Sequence, residues 1–167
     1  MTNGCPNRGG ERGIDSCKGG FAVRAAATKL EALGTYILVV SGLRTSSEQE
    51  ALYAQGRTTP GHIVTNAKAG QSMHNYGLAV DVVPYLSEPA GALNWDTGTE
   101  HYAAMVSALK AEGLGWGGDW VHFKDEDHFQ LSTLPINPTE AMIADYGAGD
   151  NDALAAIWIN TGDGKYA

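Results

Sequence analysis

The sequence predicts an α+β fold, a single domain in which a small antiparallel sheet is flanked by helices. Segments with helical spacing of apolar residues and short β-branched runs follow one another without a regular strand–helix–strand rhythm, which disfavours a parallel sheet. The chain has 167 residues, 43% of them apolar and 18% charged, which is typical of a globular domain with one buried core. Its 22 glycines predict many turns.

Apolar spacing, β-branched runs and glycine stops place each element along the chain. The predicted elements are helix 20–33 ended by Gly34, strand 36–40, helix 46–55 ended by Gly56, strand 78–83 closed by Pro84, helix 99–112 ended by Gly113, strand 128–131, and one or two helices over 138–159. Ser46 or Ser47 is expected to cap the second helix. Residues 57–76 form a long ordered loop, a feature that is often functional. Residues 116–120 form a turn between two aromatic anchors.

These elements predict three parts: a polar segment over 1–19, a core over 20–135 and a helical tail over 136–167 that packs on the core. The net charge is −8 and no run of basic residues occurs, so nucleic acid and anionic membranes are poor partners. No apolar run approaches the ~20 residues that span a bilayer. The start of the chain lacks the apolar segment of a signal peptide. Synthesis in the cytoplasm, without a membrane anchor, is therefore expected.

Two cysteines, Cys5 and Cys17, occur near the N-terminus. Their spacing matches no zinc motif, and two cysteines make no disulfide framework. A reduced pair is the simplest interpretation, and a disulfide formed outside the cell stays open. A nucleophilic cysteine is disfavoured, because neither residue lies in a recognisable strand–turn or helix-start context.

An ionisable residue interrupts the predicted strand 78–83. By alternation, Asp81 shares a face with Ala79 and Val83, and a buried carboxylate needs a partner. His74 lies just before this strand, and Gly77 allows a bend that brings an imidazole and a carboxylate together. Two simpler interpretations stay open: His74 as a hydrogen-bonded loop histidine, and a salt bridge between Asp81 and an arginine such as Arg44.

A second cluster of polar residues surrounds the strand 128–131. On a strand, His128 and Gln130 share one face while Phe129 and Leu131 enter the core. Asp125 lies three residues earlier, at a turn, and is able to curl back over the same place. The alternative for residues 125–127 is a solvated acidic turn, which fits Glu126 and Asp127.

Two histidines and one aspartate with an open fourth position are the usual ligands of a catalytic zinc ion. His74, Asp81 and His128 provide this set. A further carboxylate that does not bind the metal supplies the general base of such a site.

The pattern S-x-H-x-x-G-x-A-x-D, followed some fifty residues later by D-x-x-H, resembles the zinc D-alanyl-D-alanine carboxypeptidase family. Within that family it is most similar to the L-alanyl-D-glutamate peptidase branch found in phage endolysins. The similarity covers about residues 20–135. Four motifs match in order: SGLRT (41–45), GRTTPGHIVTNAKAGQSMHNYGLAVD (56–81), WGGDW (116–120) and DHFQ (127–130).

This resemblance implies a zinc-dependent peptidoglycan endopeptidase that acts on the stem peptide after release through a pore made by a partner protein. A monomer is the default expectation. The implied zinc ligands are His74, Asp81 and His128, with Asp125 as catalytic base and Arg44 as the cation facing the scissile carbonyl. Ser72 and Gln130 are expected to orient ligands or substrate. Tyr76 is expected to pack or to form part of the pocket wall. Trp120 is expected to be a core anchor or to line the groove.

Three alternatives to this function stay open. The first is a D-alanyl-D-alanine carboxypeptidase or dipeptidase acting on wall precursors. The second is a non-catalytic, zinc-stabilised wall-binding module, which would need neither Asp125 nor Arg44. The third is a cysteine peptidase using Cys17. His62, His101 and His122 are not expected to bind the metal.

Overall fold

The computed structural model describes residues 18–85, 92–147 and 151–166. Their helices are α1 (Lys18–Glu31), α2 (Ser46–Ala54), α3 (Glu100–Ala111), α4 (Glu140–Tyr146) and α5 (Asn151–Gly162), and their strands are β1 (Tyr36–Ser41), β2 (Ala79–Tyr85), β3 (Leu114–Trp116) and β4 (His128–Leu131). The predicted α+β class is confirmed. The predictions for Cys5 and Cys17 fall outside the described residues. Within the described part of the chain, no helix is long and apolar enough to cross a membrane.

The chain divides into two compact units. The first unit comprises the described residues of Met1–Gly42 and Ala79–Ser132 and contains the four-stranded sheet. Its strands are all antiparallel and lie in the order β1-β2-β4-β3. Strands β2 and β4 are therefore the central strands, with a paired strand on each side.

The core of the first unit lies between the sheet and helices α1 and α3. Val80, Val82 and Phe129 from the central strands are buried there with Tyr102 and Met105 of α3. As predicted from alternation, the apolar neighbours of Asp81 enter this core. Burying side chains of this size contributes about 1.5–3 kcal/mol each.

Three details of the first unit differ from the sequence prediction. Strand β2 continues through Pro84, which lies opposite Ile37, because its carbonyl still accepts a hydrogen bond from the Asn94 amide at 2.8 Å. Strand β3 was not predicted, since its three residues carry too short a pattern to recognise. The sequence predicted a single turn over residues 116–120. In the structure, Trp116 is the last residue of β3, and Gly117–Asp119 form a 3₁₀ turn.

The second unit comprises Leu43–Leu78 and the described residues of Thr133–Ala167. Thr45, not Ser46 or Ser47, caps α2: its hydroxyl accepts from the Glu48 amide, and the Glu48 carboxylate accepts from the Thr45 amide at 2.8 Å. This reciprocal arrangement is a capping box, which satisfies two backbone donors at the start of the helix.

The long loop of the second unit is held by polar contacts and ends in a 3₁₀ turn, Met73–Tyr76. The Arg57 guanidinium donates to the carbonyls of Tyr53 and Thr65 at 2.7 and 3.0 Å. At the other end, Tyr76 packs against Tyr146 of α4, and the Trp158 indole of α5 donates to the Tyr76 carbonyl at 2.7 Å. The predicted C-terminal helices are therefore present as α4 and α5, and they support this turn.

Candidate metal centre and active site

Asp81 and His128 lie opposite each other on the two central strands. Asp81 Oδ1 is 3.4 Å from His128 Nδ1, and Gln130 Oε1 is 3.0 Å from His128 Nε2. Burial alone would lower the pKa of His128, but the hydrogen bonds with Asp81 and Gln130 raise it above its usual value. The predicted shared face of His128 and Gln130 is confirmed.

Asp125 lies in the turn that precedes β4, as the spacing predicted. Its carbonyl accepts from the His128 amide at 3.3 Å, so the turn closes directly onto the strand. Burial, a side-chain hydrogen bond with Asp127 and the nearby Asp81 charge together raise the pKa of Asp125 to about 6, against the opposing attraction of His128. A carboxylate that titrates near neutrality is suited to accept and return a proton.

Contacts from α3 and β3 hold this acidic turn. The carbonyl of Glu126 accepts from the Tyr102 hydroxyl at 2.7 Å and from the Trp116 indole at 2.5 Å. The Asp127 carbonyl accepts from the Val82 amide at 2.8 Å. The Glu126 side chain is exposed, in agreement with the interpretation of a solvated acidic turn, whereas Asp127 is half-buried and its carboxyl hydrogen-bonds with Asp125. Nothing in the local sequence could have identified Tyr102, because its contact spans 24 residues.

The two glycines of WGGDW allow this arrangement. A Cβ at Gly117 would lie 2.3 Å from the Asp125 carbonyl oxygen, and a Cβ at Gly118 would lie 2.3 Å from the Trp116 ring. Trp116 packs against the core as expected. Trp120 is half-buried, and its ring centroid is 5.1 Å from that of His128. This contact places Trp120 beside a predicted ligand rather than among the described core residues.

His74 lies in the 3₁₀ turn of the second unit and is buried. The Ser72 hydroxyl accepts from the His74 amide at 3.3 Å, so Ser72 caps the turn. Gly77 ends it in the left-handed conformation, with φ 64°, which confirms the predicted bend. The Arg44 amide donates to the His74 carbonyl at 2.9 Å, and the Asn75 side chain donates to the Arg44 carbonyl at 2.9 Å. The backbones of Arg44 and His74 are thus joined.

Gln49 was not singled out in the sequence, although it orients Arg44. It is fully buried on α2, its side-chain oxygen accepts from Arg44 Nη1 at 3.0 Å, and its nitrogen donates to the Ala67 carbonyl at 2.7 Å. Its only sequence feature is its place on the buried face of a short helix.

The other predicted or excluded residues have simpler roles. Tyr76 is fully buried, its hydroxyl donates to the Gly70 carbonyl at 2.7 Å, and burial raises the pKa of Tyr76 to about 12. Tyr76 is therefore a packing residue. His62 and His122 are exposed, while His101 is 2.9 Å from the Thr35 hydroxyl.

One group among the described residues has the composition of a metal site. Asp81 and His128 of the first unit and His74 of the second each offer one ligand atom of a type that binds zinc. Two imidazole nitrogens and one carboxylate oxygen suit zinc, and three protein ligands leave one coordination position for solvent or substrate. The chemistry of the donor set therefore fits a catalytic zinc ion.

Comparisons with known proteins agree with this chemistry. A family model described as D-alanyl-D-alanine carboxypeptidase matches residues 65–131. The chain is 39% identical over 117 residues to the peptidoglycan L-alanyl-D-glutamate endopeptidase CwlK of Bacillus subtilis, covering 66% of this chain and 67% of that protein. It is 27% identical over 114 residues to the L-alanyl-D-glutamate peptidase of Listeria phage A118, covering 65% of this chain and only 36% of that relative.

One solved structure is also similar, that of the Serratia marcescens L-Ala D-Glu endopeptidase ChiX. It has 26% identity and a TM-score of 0.44, and the match covers 66% of this chain and 74% of that one. The similarity to CwlK extends over 67% of that protein and shows that the two chains belong to the same family. The chain belongs to the M15 family of peptidases.

Proposed function

We propose that this protein is a zinc-dependent peptidoglycan endopeptidase that hydrolyses the L-alanyl–D-glutamate bond of the stem peptide. The observation that carries the proposal is the buried pairing of Asp81 with His128, with Asp125 in the turn that leads into the same strand. The choice of bond is supported by the activities for which two relatives are named.

His74, Asp81 and His128 would hold the zinc ion. When bound, zinc polarises a carbonyl and lowers the pKa of a bound water from about 16 to roughly 7. Gln130 contacts the His128 ring and restrains its orientation, which is the usual task of a residue behind a metal ligand. Ser72 has the corresponding task for the backbone of His74.

Asp125 is the general base in this proposal. Its carboxylate accepts the proton of the attacking water and then donates it to the leaving amine. Arg44 supplies a fixed positive charge to the oxygen that becomes negative as the carbonyl is attacked, and the buried Gln49 amide holds the guanidinium in place. Trp120 packs beside the buried His128 ring and restrains its orientation.

The nearest alternative is a D-alanyl-D-alanine carboxypeptidase, the activity by which the family model is described. Mass spectrometry of digested cell wall separates the two, because the endopeptidase exposes the amine of D-glutamate and the carboxypeptidase releases D-alanine. Release of D-alanine alone would overturn the proposed bond. Activity that persists in excess chelator, or that zinc fails to restore, would overturn the metal.

Asp125→Asn tests the base. We expect a loss of about 10²–10⁴-fold in kcat, with zinc content unchanged, because Asp125 is not one of the ligands. Asp163→Asn removes an equal charge at an exposed position and serves as the control. Near-normal turnover by Asp125→Asn would assign the base to another residue.

The remaining features of the proposal concern organisation and location. The N-terminal segment 1–19, the catalytic core 20–135 and the tail 136–167 are proposed as the parts of a monomer. It reaches the wall after synthesis in the cytoplasm, through a pore made by a partner protein. Light scattering of the purified chain tests the monomer, and lysis with and without a co-expressed pore protein tests the route.

A further inference from the structure

Four residues, 121–124, form a short loop whose two ends are fixed to one atom; we term them the tip loop. The Gly117 carbonyl accepts from the Trp120 amide at 3.1 Å and from the Asp125 amide at 3.2 Å. A single acceptor thus closes the loop at its base. Its sequence, Val-His-Phe-Lys, is exposed at every position.

The tip loop presents apolar side chains to solvent. Val121 is 86% exposed and Phe123 is 56% exposed. Single exposed apolar residues need no explanation, but Val121 and Phe123 lie two positions apart in one short loop that ends next to Asp125. The residue before the loop, Trp120, contacts His128, and the residue after it is Asp125, the proposed base.

The chemistry of the proposed reaction decides which part of the substrate lies nearest to this loop. Asp125 returns its proton to the leaving amine, which belongs to D-glutamate. The leaving half of the substrate must therefore lie on the Asp125 side. That half continues from D-glutamate to the third residue of the stem peptide, a diamino acid with a long aliphatic side chain.

We propose that Val121 and Phe123 form a subsite for the aliphatic side chain of this third residue. The inference rests on the proposed function and adds a determinant of substrate length to it. Covering part of two apolar side chains on binding stabilises the complex in proportion to the area removed from water. A preference of about tenfold for substrates that contain the third residue follows from partial coverage.

Two synthetic substrates test the subsite: L-alanyl-D-glutamate, and the same dipeptide extended by L-lysine on the γ-carboxyl of D-glutamate. The double variant Val121→Ser/Phe123→Ser should lose about tenfold in kcat/KM on the tripeptide, mainly through KM, and less than twofold on the dipeptide. The control Phe21→Ser/Leu33→Ser removes two apolar side chains of similar exposure, 61% and 75%, from the same unit. It should leave both rates and their ratio unchanged.

The possible outcomes distinguish a failure of the subsite from a failure of the proposed function. Equal losses on both peptides, no loss on the tripeptide, or a parent enzyme without preference for the tripeptide would overturn the subsite while leaving the proposed function intact. Cleavage at another bond, seen by mass spectrometry of the products, would overturn the proposed function and the subsite together. Zinc content and melting temperature verify folding, and the single variant Phe123→Ser replaces the double variant if it does not fold.

Discussion

The turn that carries His74 and the turn that carries Asp125 are held by opposite means. In the first, a buried side chain supplies the contacts: Asn75 donates to the carbonyls of Arg44 and Thr45 and accepts from the Gly70 amide. In the second, the absence of a side chain matters, since Gly117 leaves room for the Asp125 carbonyl. Removing atoms should therefore damage the first turn, whereas adding atoms should damage the second.

The largest expected effect comes from removing the Asn75 amide. Asn75 is fully buried, so Asn75→Ala leaves the Arg44 carbonyl and the Gly70 amide without their partner, at a cost of about 2–4 kcal/mol in the free energy of unfolding. Denaturant titration measures the loss. Asn137→Ala, at an exposed position, is the control and should cost less than about 0.5 kcal/mol. Equal losses for both variants would contradict the assigned role of Asn75.

Adding one methyl group at Gly117 is the complementary change. Because the new Cβ would lie 2.3 Å from the Asp125 carbonyl oxygen, Gly117→Ala must displace the turn, at about 1–3 kcal/mol of stability. We expect kcat to fall at least tenfold, since small misplacements of a catalytic group are costly. Gly115→Ala, whose nearest contact is 3.6 Å, is the matched control. Unchanged kcat in Gly117→Ala would show that the turn tolerates displacement.

The smallest effect concerns the pH dependence of the metal-free protein. The pKa of Asp125 is about 6 in the folded state, above its ordinary value of 3.8. Folding therefore favours its protonated form, and the free energy of unfolding falls as pH rises from about 4 to 6. Because Asp125 is only partly buried, we expect this loss to be about 1 kcal/mol.

Asp125→Asn removes this titration. In chelator, the variant should be more stable than the parent at pH 7.5 and equal to it at pH 4, as measured by denaturant titration at both pH values. A variant less stable than the parent at pH 7.5 would contradict the raised pKa of Asp125.

The two turns also differ in how far the sequence predicts them. Ser72, His74 and Gly77 follow a local pattern of cap, polar residue and left-handed stop, so that turn could be predicted from neighbouring residues. The support of the second turn could not, because the Tyr102 hydroxyl reaches the Glu126 carbonyl from another element. Similarly, the predicted glycines Gly34 and Gly113 follow the ends of α1 and α3 within three residues and have positive φ, whereas β3 depends on pairing with β4. Features that depend on neighbouring residues can be predicted from the sequence, whereas features that depend on pairing with a distant segment are much harder to predict.

The closure of residues 121–124 on the Gly117 carbonyl has a consequence for protein engineering. Because both ends of this loop share one anchor, its four residues are open to randomisation while the proposed base, Asp125, keeps its position. A library of variants at these four positions would allow selection for altered substrate preference, while the proposed catalytic residues stay unchanged.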